Sequence, residues 1–426
     1  MRQTAGSGAL VDNCHSQGRD QKPQRPIRTW AENLQRAASV SARSLSAGLT
    51  DDQLEPSEQL EPSEQLEPSE QLERAAAADP GVISLAGGLP DPSLFPRQAL
   101  KRAFSAALHE ASCPALQYGW PEGSSRLRHY IAESLGARGA EVSPERLLIT
   151  SGAQQAINLA LHACVRAGDF VGVERESYPA ALEAIRAAKA RPVGLEESVR
   201  AYYVMPAISN PIGLPLDATV RHALLDRARK QKALIIEDDA YSDTAFDGRP
   251  SRPLLADAPE RVFHVGTFSK TLAPGLRVGW LVMPQSFVKA ALEAKQTMDL
   301  QANSVAQSIL ELYLQGDAYP RQLRRVQRAY ALRARRLALQ VRQKLPRFRF
   351  RAPMGGFSLW LESELRVDEE VLYEAALKHG VSFDRGSPFR TSPGTLLSMR
   401  LSYSAVPEAD MEEGVSRLAD ALASVI

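Results

Sequence analysis

The chain has 426 residues, enough for two lobes and a tail, and its 44% apolar and 24% charged residues are an ordinary globular balance. No apolar run is long enough to cross a bilayer, so no membrane partner is expected, and a formal net charge of +1 gives no overall pull toward nucleic acid. Three scattered cysteines (Cys14, Cys113 and Cys164) and seven dispersed histidines argue against a disulfide framework or a zinc site. The cysteines read as reduced thiols of a cytoplasmic protein, and the His162/Cys164 pair as packing.

The first fifty residues carry more Arg than acid and are rich in Ser and Ala, which mimics a transit peptide. Without an apolar h-region they read better as a disordered tail. A hexamer, Leu-Glu-Pro-Ser-Glu-Gln, then repeats from Leu54, Leu60 and Leu66. Pro56, Pro62 and Pro68 each remove an N–H donor and crowd the preceding turn, so no single helix spans the repeat. Residues 1–67 are therefore read as a low-complexity acidic arm, either an interaction tag or a solvated expansion. Ser69 is a candidate cap for a short helix ending at Asp79-Pro80-Gly81. Residues 68–114 are taken as a segment joining the C-terminal lobe.

From residue 115 short apolar runs alternate with amphipathic stretches. Strands are predicted at 147–150, 170–173, 202–205, 233–236, 262–265 and 279–283, and helices at 154–167 and 219–232. Runs this short and apolar suit strands buried on both faces. The fold class predicted for 115–304 is α/β, a mostly parallel sheet with helices on both faces. Residues 305–426 are predicted as a smaller α+β domain. It has an Arg-rich helix over 319–344 with a solvated basic face, strands at 357–361 and 396–401, and a helix at 369–379.

In open α/β sheets ligands gather beyond the carboxyl ends of the strands. Five such ends carry polar residues. Ser151-Gly-Ala153-Gln154 opens a helix and offers backbone N–H groups to an anion, and Thr267, Ser269 and Arg277 add hydroxyls and a fixed charge. Lys270 sits on a loop after a strand, where a lysine is usually solvated. Asp238 at another strand end is the acid that would keep a pyridine nitrogen protonated, and Asn210 and Tyr241 are potential partners for a ring oxygen. The rival reading of Asp238-Asp239 is a helix N-cap. A metal pair there lacks histidine partners.

These motifs resemble the fold-type-I, class I/II aminotransferases that use pyridoxal 5'-phosphate (PLP), in the branch of the 2-aminoadipate and kynurenine aminotransferases. The chain is also similar to PLP-binding regulators that fuse a winged helix-turn-helix to an aminotransferase-like domain. The match runs in family order through Ile83-Ser-Leu-Ala-Gly-Gly-Leu-Pro-Asp-Pro-Ser-Leu-Phe95, Gln117-Tyr-Gly119, Ile149-Thr-Ser-Gly-Ala-Gln-Gln155, Asn210-Pro-Ile-Gly213, Glu237-Asp-Asp-Ala-Tyr241, Gly266-Thr-Phe-Ser-Lys270 through Gly279, and Met399-Arg-Leu-Ser402.

The resemblance implies an enzyme that moves an amino group from an L-amino acid to a 2-oxo acid, expected to be 2-oxoglutarate, by a ping-pong mechanism. It assigns Lys270 the Schiff base with PLP and the proton transfer. Asp238 is assigned the pyridinium nitrogen, Asn210 and Tyr241 the phenolate, and Tyr178 the ring face. Ala153, Gln154, Thr267, Ser269 and Arg277 would hold the phosphate, and Tyr118 would reach the phosphate of a neighbouring subunit in a homodimer. Arg400 would clamp the substrate carboxylate, with Gly88 and Asn210 beside it. The alternatives are a PLP-binding sensor without turnover and a PLP-dependent lyase on the same fold. Three departures from the family's pattern stand out: Ile212 replaces the usual Thr after Asn-Pro, with Ser209 before it in place of Gln; the stretch Val193 to Tyr202 is short; and the arm before residue 68 matches nothing and contains no convincing helix-turn-helix.

Overall fold

A computed structural model of the protein describes residues 81–109, 114–392 and 394–426. The acidic repeat, the helix after Ser69 and the arm assigned to 1–67 lie outside the described residues.

The centre of the described chain is a seven-stranded sheet. Its strands are β2 (Leu147–Thr150), β3 (Phe170–Val173), β4 (Arg191–Gly194), β5 (Ala201–Val204), β6 (Leu234–Asp238), β7 (Val262–Thr267) and β8 (Gly279–Val282), in the order β2-β8-β7-β6-β5-β3-β4. Strands β3 to β7 run parallel, and β8 lies antiparallel between β2 and β7. This is the mostly parallel sheet expected from the apolar runs. Strands β2, β5, β6 and β7 are buried along their whole length.

Burial on both faces needs a layer on each side, and β5 shows how the sequence provides it. Side chains alternate along a strand, so Tyr202 and Tyr203 point to opposite faces. Tyr202 joins a core with α2 (Ser125–Ala137) and α5 (Ala218–Gln231). Tyr203 joins a core with α3 (Ala153–Cys164), α4 (Pro179–Ala187) and the C-terminal lobe.

That lobe contains α8 (Ala318–Lys344), α9 (Glu369–Lys378), α10 (Glu408–Ala423) and a three-stranded antiparallel sheet. The sheet orders β11 (Asp384–Arg385), β12 (Leu397–Ser402) and β9 (Ser358–Ser363). Near the start of the described residues, β1 (Ile83–Ser84) pairs in parallel with β10 (Val381–Ser382). On α8, Val326, Tyr330, Ala334, Leu337 and Val341 recur at helical spacing and are buried, while Arg321, Arg324, Arg328 and Arg335 face solvent. The arginines are the solvated face predicted from the sequence.

Several boundaries differ from the sequence expectations, each for a local reason. The helix predicted to reach residue 167 stops at Cys164, because Val165 is extended (φ −121°, ψ 146°). Strands β6 and β7 run two residues past their predicted ends. Asp238 pairs with Val265 and Thr267 with Gly279, so these polar residues are the last rungs of the ladder rather than loop. Strand β4 had no strand signal, since Pro192 interrupts the run. It is an edge strand hydrogen-bonded only to β3, where proline is tolerated.

Candidate active site

The site is set by the end of β6. Residues two apart in a strand share a face, and Tyr203 pairs with Ile236, so Tyr203 stands on the same side of the sheet as Asp238. The Tyr203 hydroxyl donates to Asp238 Oδ2 at 2.8 Å, and the Ala240 amide donates to Oδ1 at 3.1 Å. Asp238 is only 3% exposed. Burial pushes its pKa above the usual carboxylate range against the pull of Tyr203, Ala240 and the Lys270 cation, while the neighbouring Asp239 pushes the same way as burial. Burial and the adjacent Asp238 hold the Tyr203 phenol well above its usual range, so it stays protonated as a donor.

Asp239 points away into a different network. It accepts from Arg138 and from His264 Nε2 at 3.1 Å, and its side chain is 2% exposed. Burial alone would raise its pKa, but Arg138 and then His264 bring it well below the usual range. Glu237 accepts from the Leu254 and Leu255 amides at 2.7 and 3.0 Å. Neither aspartate is a helix N-cap, because the next element is a short 3-10 turn at Ser242–Thr244 without a side-chain cap bond. The N-cap reading of Asp238-Asp239 is therefore replaced by two separate buried roles. Arg138→Ala leaves Asp239 buried without its strong partner and is expected to cost about 3–5 kcal/mol in urea unfolding. Because Asp239 is depressed in the folded state, the wild-type pairing is present at neutral pH. It is lost progressively as pH falls from the unfolded value of about 3.9 toward the depressed folded value, and the wild-type and variant midpoints draw together over that range.

The opposite end is built for an anion. Two other helices of the sheet domain begin with a side-chain cap, whereas α4 does not. Ser124 Oγ accepts from the Leu127 amide at α2, and Asp217 accepts from the Thr219 amide at α5. Helix α3 begins at Gly152 (φ +95°) with no side-chain cap, and first-turn N–H groups have no acceptor within their own helix. Arg277 lies against this turn. Its Nη2 donates to the Ser151 carbonyl at 3.1 Å, and a Cβ on Gly152 would come within 2.5 Å of the same nitrogen. Thr267 and Ser269 are hydrogen-bonded to each other at 2.9 Å, which fixes both hydroxyls beside the turn.

A cavity of about 230 Å³ joins the two ends. Ala153, Gln154, Tyr178, Asn210, Asp238, Tyr241, Thr267, Ser269, Lys270 and Arg277 line it, together with Met205 and Leu89. A larger hollow of about 460 Å³ lies along α8, but its walls are Ala331, Ala334, Ala338 and Met354 with peripheral charges. Asp247, Arg335 and Arg342 also line it, but none of the strand-end residues does, so the smaller cavity is where chemistry is supported. The donor set there fits a phosphorylated pyridine aldehyde: an uncapped helix end with Arg277 for the phosphate, a buried carboxylate for a ring nitrogen, and an amine for the aldehyde.

That amine is Lys270. Its Nζ donates to the Gly88 carbonyl at 3.0 Å and lies 5.1 Å from the centre of the Tyr241 ring. A Cβ on Gly88 would stand in contact with the site, 3.4 Å from Tyr241 Oη. Arg400 borders the same space. Its Nη1 donates to Asn210 Oδ1 at 2.9 Å and its Nη2 is 2.8 Å from Asp384 Oδ2. Tyr118 does not join this group within the chain and is 78% exposed. The sequence reading missed Tyr203 and Asp384. Tyr203 sits inside an apolar run, and its hydroxyl marks no partner until the strands are paired. Asp384 carried no signal.

The family model for aminotransferase class I and II matches residues 81–418. A 2-aminoadipate transaminase from Thermus thermophilus is 33% identical over 370 residues, covering 82% of this chain and 91% of the relative. Aromatic-amino-acid aminotransferase 1 from Thermococcus litoralis is 31% identical over 366 residues, covering 80% and 88%. Among solved structures, the α-aminoadipate aminotransferase of Thermus thermophilus with bound N-(5'-phosphopyridoxyl)-L-leucine superimposes with a TM-score of 0.76. It is 32% identical, over 83% of this chain and 94% of that one.

Proposed function

We propose that this chain, which belongs to the class I and II aminotransferases, is a PLP-dependent transaminase that passes an amino group from an L-amino acid to a 2-oxo acid, with 2-oxoglutarate as the acceptor. The observation that carries this reading is one cavity lined by both Lys270 and the buried Asp238, with the uncapped start of α3 at its far end. PLP supplies an aldehyde that condenses with amines and a pyridine ring that draws electron density from the substrate Cα.

The chain's own residues do the rest. Ala153, Gln154, Thr267, Ser269 and Arg277 hold the phosphate. Asp238, kept in place by Tyr203, keeps a proton on the ring nitrogen. Asn210 and Tyr241 hold the ring oxygen and Tyr178 covers a ring face. Arg400 takes the substrate α-carboxylate next to Gly88 and orients the Cα–H bond. Lys270 Nζ would hold the cofactor's aldehyde carbon and, with substrate in place, would move the proton at the substrate Cα. Its contact with the Gly88 carbonyl keeps it on the substrate side of the cavity.

The Gly152 turn gives the cofactor site a sharp test. Gly152→Ala adds a Cβ into Arg277 at a backbone angle that disfavours side chains, so PLP binding is expected to weaken about tenfold in fluorescence titration. The fold is expected to remain intact.

The protein is assigned to the cytoplasm as a homodimer. Among the described residues no helix is long and apolar enough to cross a membrane. Tyr118 and Trp120 are 78% and 76% exposed, a pairing that suits a partner surface. A panel of amino donors with 2-oxoglutarate tests the function. The bound cofactor's colour is expected to fade with a donor and return with the oxo acid, and colour without that cycle favours a sensor instead.

A further inference from the structure

We propose that Asp384 is a positioning residue for the carboxylate clamp, holding Arg400 through Oδ2 and the Gly87 amide through both carboxylate oxygens. This rests on the reading of Arg400 as the group that takes the substrate α-carboxylate.

The placement comes from strand register. Asp384 in β11 stands directly opposite Arg400 in β12, and directly opposed residues of an antiparallel pair share a face. Asp384 Oδ2 accepts from Arg400 Nε and lies equally close to Nη2, each at 2.8 Å. Arg400 Nη1 donates to Asn210 Oδ1 at 2.9 Å. A guanidinium carries five N–H bonds in a fixed plane. Asp384 accepts from Nε with Nη2 in ion-pair range of the same oxygen, and Asn210 accepts from Nη1. At least one N–H is left on each terminal nitrogen for a carboxylate to bind through both oxygens. The Phe389 ring lies against the guanidinium face, with its centre 4.7 Å from Cζ, and limits rotation of the plane.

The same carboxylate reaches the N-terminal strap. The Gly87 amide donates to Oδ2 at 2.9 Å and to Oδ1 at 3.1 Å. Gly87 has φ +80°, a conformation that suits glycine, and the next residue's carbonyl accepts from Lys270 Nζ. A Cβ on Gly88 would lie 3.8 Å from Arg400 Nη1. One carboxylate thus fixes the clamp and the strap that touches the catalytic amine. The Arg400–Asp384 pair is formally neutral. The clamp therefore selects its ligand by the direction of two N–H bonds more than by net charge, which favours a planar carboxylate over other anions.

The test uses the PLP-loaded enzyme and the amino donor with the highest turnover. Its probe for binding alone is the deamino analogue of that donor, a carboxylic acid with no amine to react. Asp384→Ala is expected to raise both the donor KM and the calorimetric Kd of the analogue about tenfold, with kcat changed less than about threefold. Asp384→Asn keeps an acceptor and is expected to give about a threefold rise. Thermal melting checks that both are folded, and Asp384→Asn carries the test if Asp384→Ala is not. On an Arg400→Ala background Asp384→Ala is expected to add nothing, since it acts through Arg400. Unchanged or tighter analogue binding, or additive losses in the double variant, overturns the proposal while leaving Arg400 as the clamp. An Arg400→Ala enzyme that binds the analogue normally overturns the reading of Arg400 itself, and the proposal with it.

Discussion

Lys270→Ala is expected to lower kcat for transamination by at least about 10⁴-fold while the protein still binds PLP. Two losses combine. The variant has no amine to hold the aldehyde, and no base placed to move the substrate Cα proton; a positioned acid–base group alone contributes about 10²–10⁴-fold. Retention of the cofactor is expected because Lys270 is one wall of a cavity whose other walls supply independent contacts. The phosphate end is the α3 turn with Arg277, and the far end is Asp238, neither of which leans on Lys270 for its position. Borohydride reduction separates these statements. In the wild type it should fix the cofactor to the protein and add its mass, and in the variant the cofactor should wash out on unfolding. Transamination persisting in a variant that no longer forms the covalent link would remove Lys270 from its role.

The sequence made some of this site legible because strand ends are punctuated. Short apolar runs broken by Ser-Gly-Ala, Glu-Asp-Asp and Thr-Phe-Ser-Lys are local signals, and the mostly parallel sheet follows from their alternation with helical stretches. The parts that could not be read are those that depend on which strands become neighbours. Tyr203 is an apolar-run residue until β5 lies beside β6, when its hydroxyl meets Asp238. Asp239 resembles a cap until Arg138, one hundred and one residues away in sequence, closes on it. Asp384 lies in a two-residue strand with no periodicity to detect, and only its pairing with β12 places it on Arg400. Strand β4 was hidden by Pro192, because local propensity does not reveal that an edge position forgives a proline.

Asp238→Asn is expected to lower kcat by about 10³-fold, the scale of removing one preorganised electrostatic partner from a water-poor site. The substitution tests charge rather than shape. The amide oxygen can still accept from the Ala240 amide. The amide NH₂ then faces Tyr203, whose hydroxyl can turn from donor to acceptor, so both neighbours keep a partner. What disappears is the anion that would hold a proton on the ring nitrogen. Stability should move the other way. Burial raises the Asp238 pKa in the folded protein, so the folded state binds a proton more readily than the unfolded chain. Wild-type stability therefore falls as pH rises from the unfolded value of about 3.9 through the raised folded value, and the neutral asparagine lacks this slope. Urea unfolding of cofactor-free protein at pH 4 and pH 7 should show the variant gaining on the wild type at the higher pH. A variant equally unstable at both values, or one with near wild-type turnover, would mean that the buried charge of Asp238 is not what the reaction uses.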